Sequence, residues 1–260
     1  MTLTYPDYLQ LEHLLGLQKP RSEPAEHDEM LFIVIHQVYE LWFKLVLHEL
    51  EKIKVDLVAG DLFGAITSLK RVRTVMKTLV GQLDILETMT PLSFSSFRDR
   101  LDTASGFQSV QFRELEFELG NKKERALEML EPGSAERKRL ENRYRGTTVQ
   151  DAFYRFLALR GLKVPQELLD RDVTQPTTAS EPLQAELLAA YKKQPELVIL
   201  LELMTDFDEG LQEWRYRHVK LAERTIGAKR GTGGSAGVEF LKQSLFKPVF
   251  PDLWAIRHQM

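Results

Sequence analysis

The most extended apolar pattern in the chain lies between His27 and Leu50 (HDEMLFIVIHQVYELWFKLVLHEL). It contains neither glycine nor proline, so nothing in it breaks a helix. From Leu31 to Leu47 apolar residues occur nearly all round the helix, which predicts a central helix buried on most sides. The run is short for a membrane span, and its polar interruptions are rare in one: His36, Gln37, Glu40 and Lys44. The pattern therefore indicates the core helix of a globular protein.

Helical periodicity and helix start and stop signals extend over most of the chain. An amphipathic helix is predicted from Tyr5 to Leu15, and the central helix is expected to end near Gly60. Asp61 would cap the next helix, which runs to about Glu87. Further helices are predicted over 90–101, 107–119, on both sides of 132–134, over 148–160, in a hairpin that turns near 195 with a long second arm over 196–226, and before a turn at 251. No strand alternation and no repeat occurs, so we predict an all-α, bundle-like fold with two long central helices, in one domain over residues 1–260.

Composition limits the possible functions. The chain has 260 residues, 28% charged residues and a net charge of −3, so no basic excess indicates nucleic acid. No membrane is expected, and without a signal-peptide pattern the cytoplasm is the predicted location. The absence of cysteine excludes disulfides, thiolate metal sites, iron–sulfur clusters and covalent haem attachment. Any haem must therefore be held non-covalently.

Two pairs of side chains could bind a flat ligand with polar edges. Phe32 and His36 are four residues apart and share one helix face, which places an aromatic plate beside an imidazole. Phe94 and Arg98 have the same spacing, with Leu101 close by, and arginine suits bidentate binding of a carboxylate. The alternatives are a core histidine bonded to a neighbouring side chain and a surface arginine.

His218 follows Trp214 by four residues near the end of the second long helix. A single helical histidine suits a haem axial ligand, because the porphyrin supplies the other four nitrogens. The alternative is a partly exposed histidine at a helix C-terminus, where positive charge is favourable. A non-haem metal site is disfavoured, because the Glu-x-x-His pairs of di-iron bundles are absent.

Residues 228–237 (AKRGTGGSAG) form a glycine-rich segment. It lacks the Gly-Lys-Ser/Thr ending of a phosphate-binding loop, and no strand precedes it. The glycines would either bring backbone close to a ligand or form a solvated loop.

Four stretches together resemble the tryptophan 2,3-dioxygenase family, in the family's order: HDEMLFIVIHQVYELWFK, FRD with SGFQSVQFRELEFELGNK, WRYRH, and KRGTGGSAGV followed by FL. The resemblance covers nearly the whole chain, although residues 122–205 carry less of the signature. It implies a cytoplasmic homotetramer with one non-covalent haem b per subunit. Its implied reaction opens the indole ring of L-tryptophan with O2 to give N-formylkynurenine, the first step of tryptophan degradation by the kynurenine route.

The resemblance also implies roles for individual residues. His218 matches the proximal haem ligand and thus the metal ligand, and His36 matches the distal histidine that bonds the indole N–H. Phe32 matches the aromatic wall beside it. Arg98 matches the arginine that binds the substrate carboxylate, and Thr232 the threonine at the amino-acid end.

Ser105 matches a small polar residue over the haem, and Leu101 and Gly106 are expected beside it. Phe94 stands where relatives have Tyr or Phe, so the carboxylate here lacks one possible hydroxyl donor. Tyr5 and Tyr8 match residues of an N-terminal arm (1–20) that completes a neighbouring subunit's pocket. Two other functions stay open: a non-catalytic haem or indole sensor on the same scaffold, and a plain helical interaction protein.

Overall fold

Two helices of 32 residues each, and one of 25 residues that packs against both, form the centre of the fold. The computed structural model describes residues 2–233 and 236–260. In chain order the helices are α1 Tyr5–Leu9, α2 Leu11–Leu15, α3 His27–Val58, α4 Leu62–Leu86, α5 Pro91–Arg98, α6 Val110–Glu118, α7 Arg125–Glu128, α8 Ala135–Arg145, α9 Val149–Leu159, α10 Gln166–Leu169, α11 Glu181–Lys193, α12 Pro195–Ile226, α13 Val238–Lys242 and α14 Pro251–Ala255. Short 3-10 turns occupy Asp99–Leu101, Gly106–Gln108 and Arg257–Gln259.

The predicted all-α class is confirmed, because no residue in 2–233 or 236–260 lies in a strand. The two predicted long central helices are α3 and α12, and α4 fills the space between them. α9 packs against α3 as well, so its apolar face joins the same core. One continuous cluster of buried side chains runs from Ile35 on α3 to Ile256 after α14.

Side-chain caps fix the boundaries that the sequence predicted. The Asp61 carboxylate accepts a hydrogen bond of 2.9 Å from the Gly64 amide at the start of α4. The Thr90 hydroxyl accepts one of 3.1 Å from the Ser93 amide, and Pro91 takes the first helical position. These groups satisfy amides that have no partner within a helix.

The predicted single helix from Tyr5 to Leu15 is wrong, because the chain breaks it into α1 and α2. Gln10 adopts a left-handed backbone conformation with φ of 52°. Its backbone N–H and its side-chain amide both donate to the Asp7 carbonyl, which ends α1 after five residues. Amphipathic spacing alone did not reveal this interruption.

The segment between α5 and α6 also departs from the prediction. The helix expected through Leu101 tightens into a 3-10 turn at Asp99, and the helix expected from Phe107 begins only at Val110. The Ser109 hydroxyl accepts a bond of 3.1 Å from the Phe112 amide and so caps α6 at that later position. The result is a tight connection that lies beside the glycine-rich segment.

The expectation that α3 is buried on most sides is wrong for a single chain. Met30, Val34 and Leu41 are 41%, 38% and 51% exposed. Among the described residues, α3 is the one helix long and apolar enough to cross a membrane by length and composition, a test that core helices of soluble proteins also pass. Length therefore does not exclude a span. The buried carboxylates do argue for a protein core, since those of Glu29 and Glu49 are bonded to protein groups.

A buried carboxylate that the sequence did not reveal ties the C-terminal segment to α12. Asp208 is 0% exposed and accepts hydrogen bonds from the Val249 and Phe250 amides and from the Trp254 indole N–H, at 2.8 to 2.9 Å. Arg215 donates to the Lys247 carbonyl at 3.0 Å. These bonds fix the C-terminal segment on α12, the helix that carries His218.

Candidate active site

His36 is a neutral hydrogen-bond acceptor on α3. Its Nδ1 lies 2.7 Å from the Phe32 carbonyl oxygen. Because a carbonyl can only accept, Nδ1 must carry the proton, and in the neutral ring Nε2 keeps a free lone pair. Burial lowers the pKa of His36, although the Phe32 carbonyl and the Glu40 charge oppose that shift. The partner of Nδ1 is a backbone carbonyl and not the neighbouring side chain that the core-histidine alternative expected, and Nε2 stays available.

An aromatic wall lies beside this imidazole, as the spacing predicted. The Phe32 ring is 4.1 Å from the His36 ring, centre to centre. Phe94 lies 5.7 Å from Phe32, and Phe97 lies 5.6 Å from it and 5.5 Å from Phe94. α3 and α5 therefore jointly provide a flat apolar surface next to one polar nitrogen. Phe97 belongs to this wall although the sequence did not single it out.

His218 faces the same region from α12. Burial, followed by the proximity of His36, lowers the pKa of His218 to about 4. Trp214, on which the His218 ring stacks, donates to Tyr39, three residues after His36 on α3. His218 is half-buried, and its lowered pKa disfavours the charged form on which the alternative at a helix C-terminus depends. The His218 ring lies nearly parallel to the Trp214 indole, with centroids 5.2 Å apart and planes 10° apart. Within residues 2–233 and 236–260, neither ring nitrogen of His218 has a protein hydrogen-bond partner.

The donor set around His218 fits a haem. A neutral imidazole with a free nitrogen is the form in which histidine ligates iron. The described part of the chain contains no group of three or more histidine and carboxylate side chains able to hold a bare metal ion. A lone histidine suits a metal that brings its other ligands with it, and the aromatic side chains nearby suit an apolar macrocycle.

The glycine-rich segment lies on the connection between α5 and α6. Arg98 donates to the Arg230 carbonyl at 2.7 Å, and the Thr232 hydroxyl donates to the Ala104 carbonyl at 2.7 Å. A Cβ on Gly233 would come within 2.8 Å of the Ser105 Cβ, so only glycine fits this close approach. Arg98 is therefore not a free surface arginine. Gly234 and Ser235 of the same segment lie outside the described residues.

Comparison with known proteins identifies the family. A family model described as tryptophan 2,3-dioxygenase matches residues 1–132 and 180–260. The chain is 52% identical over 255 residues to the tryptophan 2,3-dioxygenase of Herpetosiphon aurantiacus, covering 98% of this chain and 97% of the relative. It is 50% identical to that of Anaeromyxobacter sp. strain K, covering 98% and 95%, and 41% identical to that of Bacillus thuringiensis subsp. konkukian, covering 99% and 93%. The chain belongs to the tryptophan 2,3-dioxygenase family.

The family match is not uniform along this tryptophan 2,3-dioxygenase chain. The family model omits residues 133–179, which lie inside the stretch that carries less of the family signature. That segment contains α8, α9 and α10, and α9 packs against α3 as scaffold. The relatives carry the name of an enzyme, and none of these comparisons favours a sensor.

The remaining predicted site residues of this tryptophan 2,3-dioxygenase chain differ in how they are placed. Leu101 packs against the core. The Ser105 hydroxyl accepts from the Phe107 amide at 3.3 Å, and Gly106 has no atom near the position of a Cβ, which leaves space beside the backbone. Tyr5 and Tyr8 are each 72% exposed, so this chain does not bury them in its own pocket.

Several groups at the site escaped the sequence argument. The Arg230 and Ala104 carbonyls act through backbone atoms, which residue types do not reveal. Gln111 donates to the Glu40 backbone carbonyl and carboxylate, at 2.9 and 2.8 Å, and thereby links α6 to the helix of His36. The Tyr39 hydroxyl accepts a hydrogen bond from the Trp214 indole N–H. The only sequence signal for Tyr39 is its position three residues after His36.

Proposed function

We propose that this chain opens the indole ring of L-tryptophan with O2 to give N-formylkynurenine, using one non-covalent haem b per chain. Family membership supports the reaction. The observation in the structure that carries the proposal is the arrangement of His36 and His218. One neutral imidazole has a free acceptor nitrogen beside an aromatic wall, and a second has two unbonded nitrogens nearby.

His218 would hold the haem, with Ser105, Leu101 and Gly106 beside it. Bound haem supplies the iron that activates O2. His36 Nε2 accepts the indole N–H, and Phe32 lies against the indole ring. The hydrogen bond to His36 and the contact with Phe32 together fix the position and the plane of the indole ring.

Arg98 and Thr232 bind the amino-acid end of the substrate in this proposal. The arginine fork pairs with the carboxylate, and the hydroxyl lies on the same loop. Both groups already meet at the α5–α6 connection through backbone carbonyls. Phe94 contributes wall surface and no hydroxyl, so the carboxylate depends more on Arg98. Holding the substrate in one orientation contributes to the rate.

His36 acts by orientation and by stabilising developing charge, not as an essential base. The indole N–H is very weakly acidic, and burial lowers the pKa of His36, which makes it a weaker base. Both atoms of O2 enter the product, so the reaction needs no electron donor in each turnover. A side chain that aligns the ring is therefore sufficient at this position.

We also infer that the chain works as a single helical domain in a cytoplasmic homotetramer, with residues 1–20 docked on a neighbouring subunit. The exposed arm supports this assembly, because α1 and α2 bury none of their residues. The uncovered apolar side chains of α3 support it too. Gln18 donates to Gln37 at 2.6 Å, so the base of the arm is fixed on α3 while its helices stay free to dock elsewhere. The number four comes from the family resemblance.

The test combines a spectrum with a product assay. The purified protein, reduced and supplied with haem, should show a Soret band that changes when tryptophan is added under air. Mass spectrometry with isotopically labelled O2 should find both labelled atoms in N-formylkynurenine. A protein that binds haem and tryptophan without forming product would overturn the proposed reaction, and one that takes up no haem would overturn the cofactor as well.

A further inference from the structure

The orientation of the His218 ring depends on an aromatic neighbour. Metal-binding histidines usually donate their second ring N–H to a protein acceptor, which fixes the ring plane. Within the described ranges, His218 has no such acceptor. Its ring is instead stacked on Trp214, one turn earlier on α12, with planes 10° apart. The plane of the indole therefore determines the plane of the imidazole.

Trp214 is itself held by a directed pair of hydrogen bonds. The Tyr39 oxygen lies 2.5 Å from the Leu79 carbonyl oxygen on α4 and 3.4 Å from Trp214 Nε1. The carbonyl can only accept, so Tyr39 must donate its proton to Leu79. Its lone pairs then face the Trp214 N–H, which can only donate. Burial raises the pKa of Tyr39 to about 12, so the phenol keeps this proton.

Aromatic rings close the remaining sides of the indole. Phe112 lies 5.2 Å from the Trp214 ring, and Phe43 meets it edge-on at 6.4 Å and 86°. Trp214 is 8% exposed. The indole cannot turn without displacing side chains of α3 and α6. Side chains of α3 and α6 thus enclose this ring of α12.

We propose that Trp214 and Tyr39 are positioning residues for His218. The Tyr39 oxygen fixes the indole, and the indole fixes the imidazole in the plane in which it holds the haem. This inference rests on the proposed function only in assigning haem to His218. A ring that is already fixed loses less conformational freedom on binding, so the haem should leave more slowly.

The experiment measures how fast haem leaves the loaded protein, by transfer to an excess of a haem-scavenging apoprotein. We expect Trp214→Phe to lose haem about tenfold faster, at the lower end for an outer-sphere partner of a metal ligand. Tyr39→Phe should have a smaller effect in the same direction. In the double variant, Tyr39→Phe should add nothing, because its effect passes through the indole N–H that phenylalanine lacks. The electron paramagnetic resonance spectrum of the ferric state should shift in both single variants.

Tyr191→Phe is the matched control. Its hydroxyl bonds Glu202 at 2.8 Å on the same helix, α12. Glu202 lies about 24 Å from His218 along the helix axis, at the usual rise per residue. This variant also removes a tyrosine hydrogen bond, and it should leave the haem-loss rate and the spectrum unchanged. Thermal unfolding of the haem-free variants reports their folding, and if Trp214→Phe fails to fold, Tyr39→Phe against Tyr191→Phe decides.

Native rates and spectra in both single variants would overturn the positioning role, and so would additive effects in the double variant. Equal effects of Tyr39→Phe and Tyr191→Phe would have the same consequence, because they would reflect general loosening. A native protein that takes up no haem overturns the proposed function first and this inference with it. A native protein that holds haem while the variants match it overturns this inference alone.

Discussion

His218 and His36 lie on the two long helices and face one region, but their surroundings are built differently. Around His218 the chain supplies a stacked indole, a directed hydrogen-bond pair and aromatic rings from α3 and α6. Around His36 the pocket combines a short helix, a 3-10 turn and a glycine-rich segment that Arg98 and Thr232 hold through backbone carbonyls. The first side is therefore held by side chains packed between helices, whereas the second is held by contacts between loop segments.

This difference teaches which property each side controls. A fixed imidazole suits a cofactor that stays bound through many turnovers. A pocket completed by loop segments and, in our proposal, by another chain suits a substrate that enters and leaves. Substitutions on the His218 side should therefore change haem retention, and substitutions on the His36 side should change tryptophan handling with haem retained.

The largest effect is expected at His218. His218→Ala removes the only protein ligand proposed for the iron, so most of the haem should be lost during purification. The haem-to-protein ratio, measured from the Soret band, checks this outcome. His48→Ala, which removes an exposed histidine of α3, is the control and should keep its haem. An unchanged Soret band with normal activity in His218→Ala would remove this assignment.

The next largest effect is expected at Arg98, on the substrate side of the site. Losing a charged hydrogen bond in a closed pocket costs about 2–5 kcal/mol, by analogy with buried charge pairs. Arg98→Ala should therefore reduce kcat/KM for tryptophan on the order of a hundredfold or more. Haem content should not change. Arg100→Ala, two residues away and exposed, should behave like the native chain.

Tryptamine, which lacks the carboxylate, provides an independent check on Arg98. The native protein should prefer tryptophan strongly, and Arg98→Ala should lose most of that preference. If the native protein used tryptamine as well as tryptophan, Arg98 would not bind the carboxylate.

The arm tests whether the substrate side draws on a second chain. A chain with Tyr5→Ala and Tyr8→Ala and a chain with Arg98→Ala should each be nearly inactive alone and keep haem. If the arm acts between subunits, mixed oligomers regain part of the activity, since some sites pair a native arm with a native pocket. If it acts within one chain, every site carries one defect. Demonstrated subunit exchange without recovery would rule out the shared site.

Sequence reasoning succeeded where side-chain identity and helical spacing decide the structure. The caps at Asp61 and Thr90 and the pairing of Phe32 with His36 follow from residue types and from a fixed periodicity. The family motifs imply substrate-binding roles for Arg98 and Thr232, which spacing alone left open, and these roles stay predictions.

Sequence reasoning failed where backbone groups or contacts distant in sequence decide. The break at Gln10 arises from a local competition for the Asp7 carbonyl, and the loop contacts use the Arg230 and Ala104 carbonyls. The apolar run of α3 predicted burial that the single chain does not supply, because hydrophobicity does not say what covers an apolar face. The Tyr39–Trp214 contact joins residues 175 apart in sequence, and no periodicity links them.

The smallest expected effect lies at His36, and it sharpens the comparison most. His36→Ala should keep haem, because the proposed iron ligand is elsewhere, and it should slow tryptophan turnover by about tenfold, the cost of one unsatisfied buried N–H. The indole ring could still lie on Phe32.

The discriminating substrate is 1-methyltryptophan, which has no N–H to donate. Native protein should turn it over more slowly than tryptophan, and His36→Ala should narrow that gap between the two substrates. His36→Gln, whose amide oxygen can accept the same bond, should keep part of the gap. The test works because His36 Nδ1 is committed to the Phe32 carbonyl, so Nε2 is the one acceptor the ring can offer. An equal gap in native and His36→Ala proteins would mean that the indole N–H bonds elsewhere.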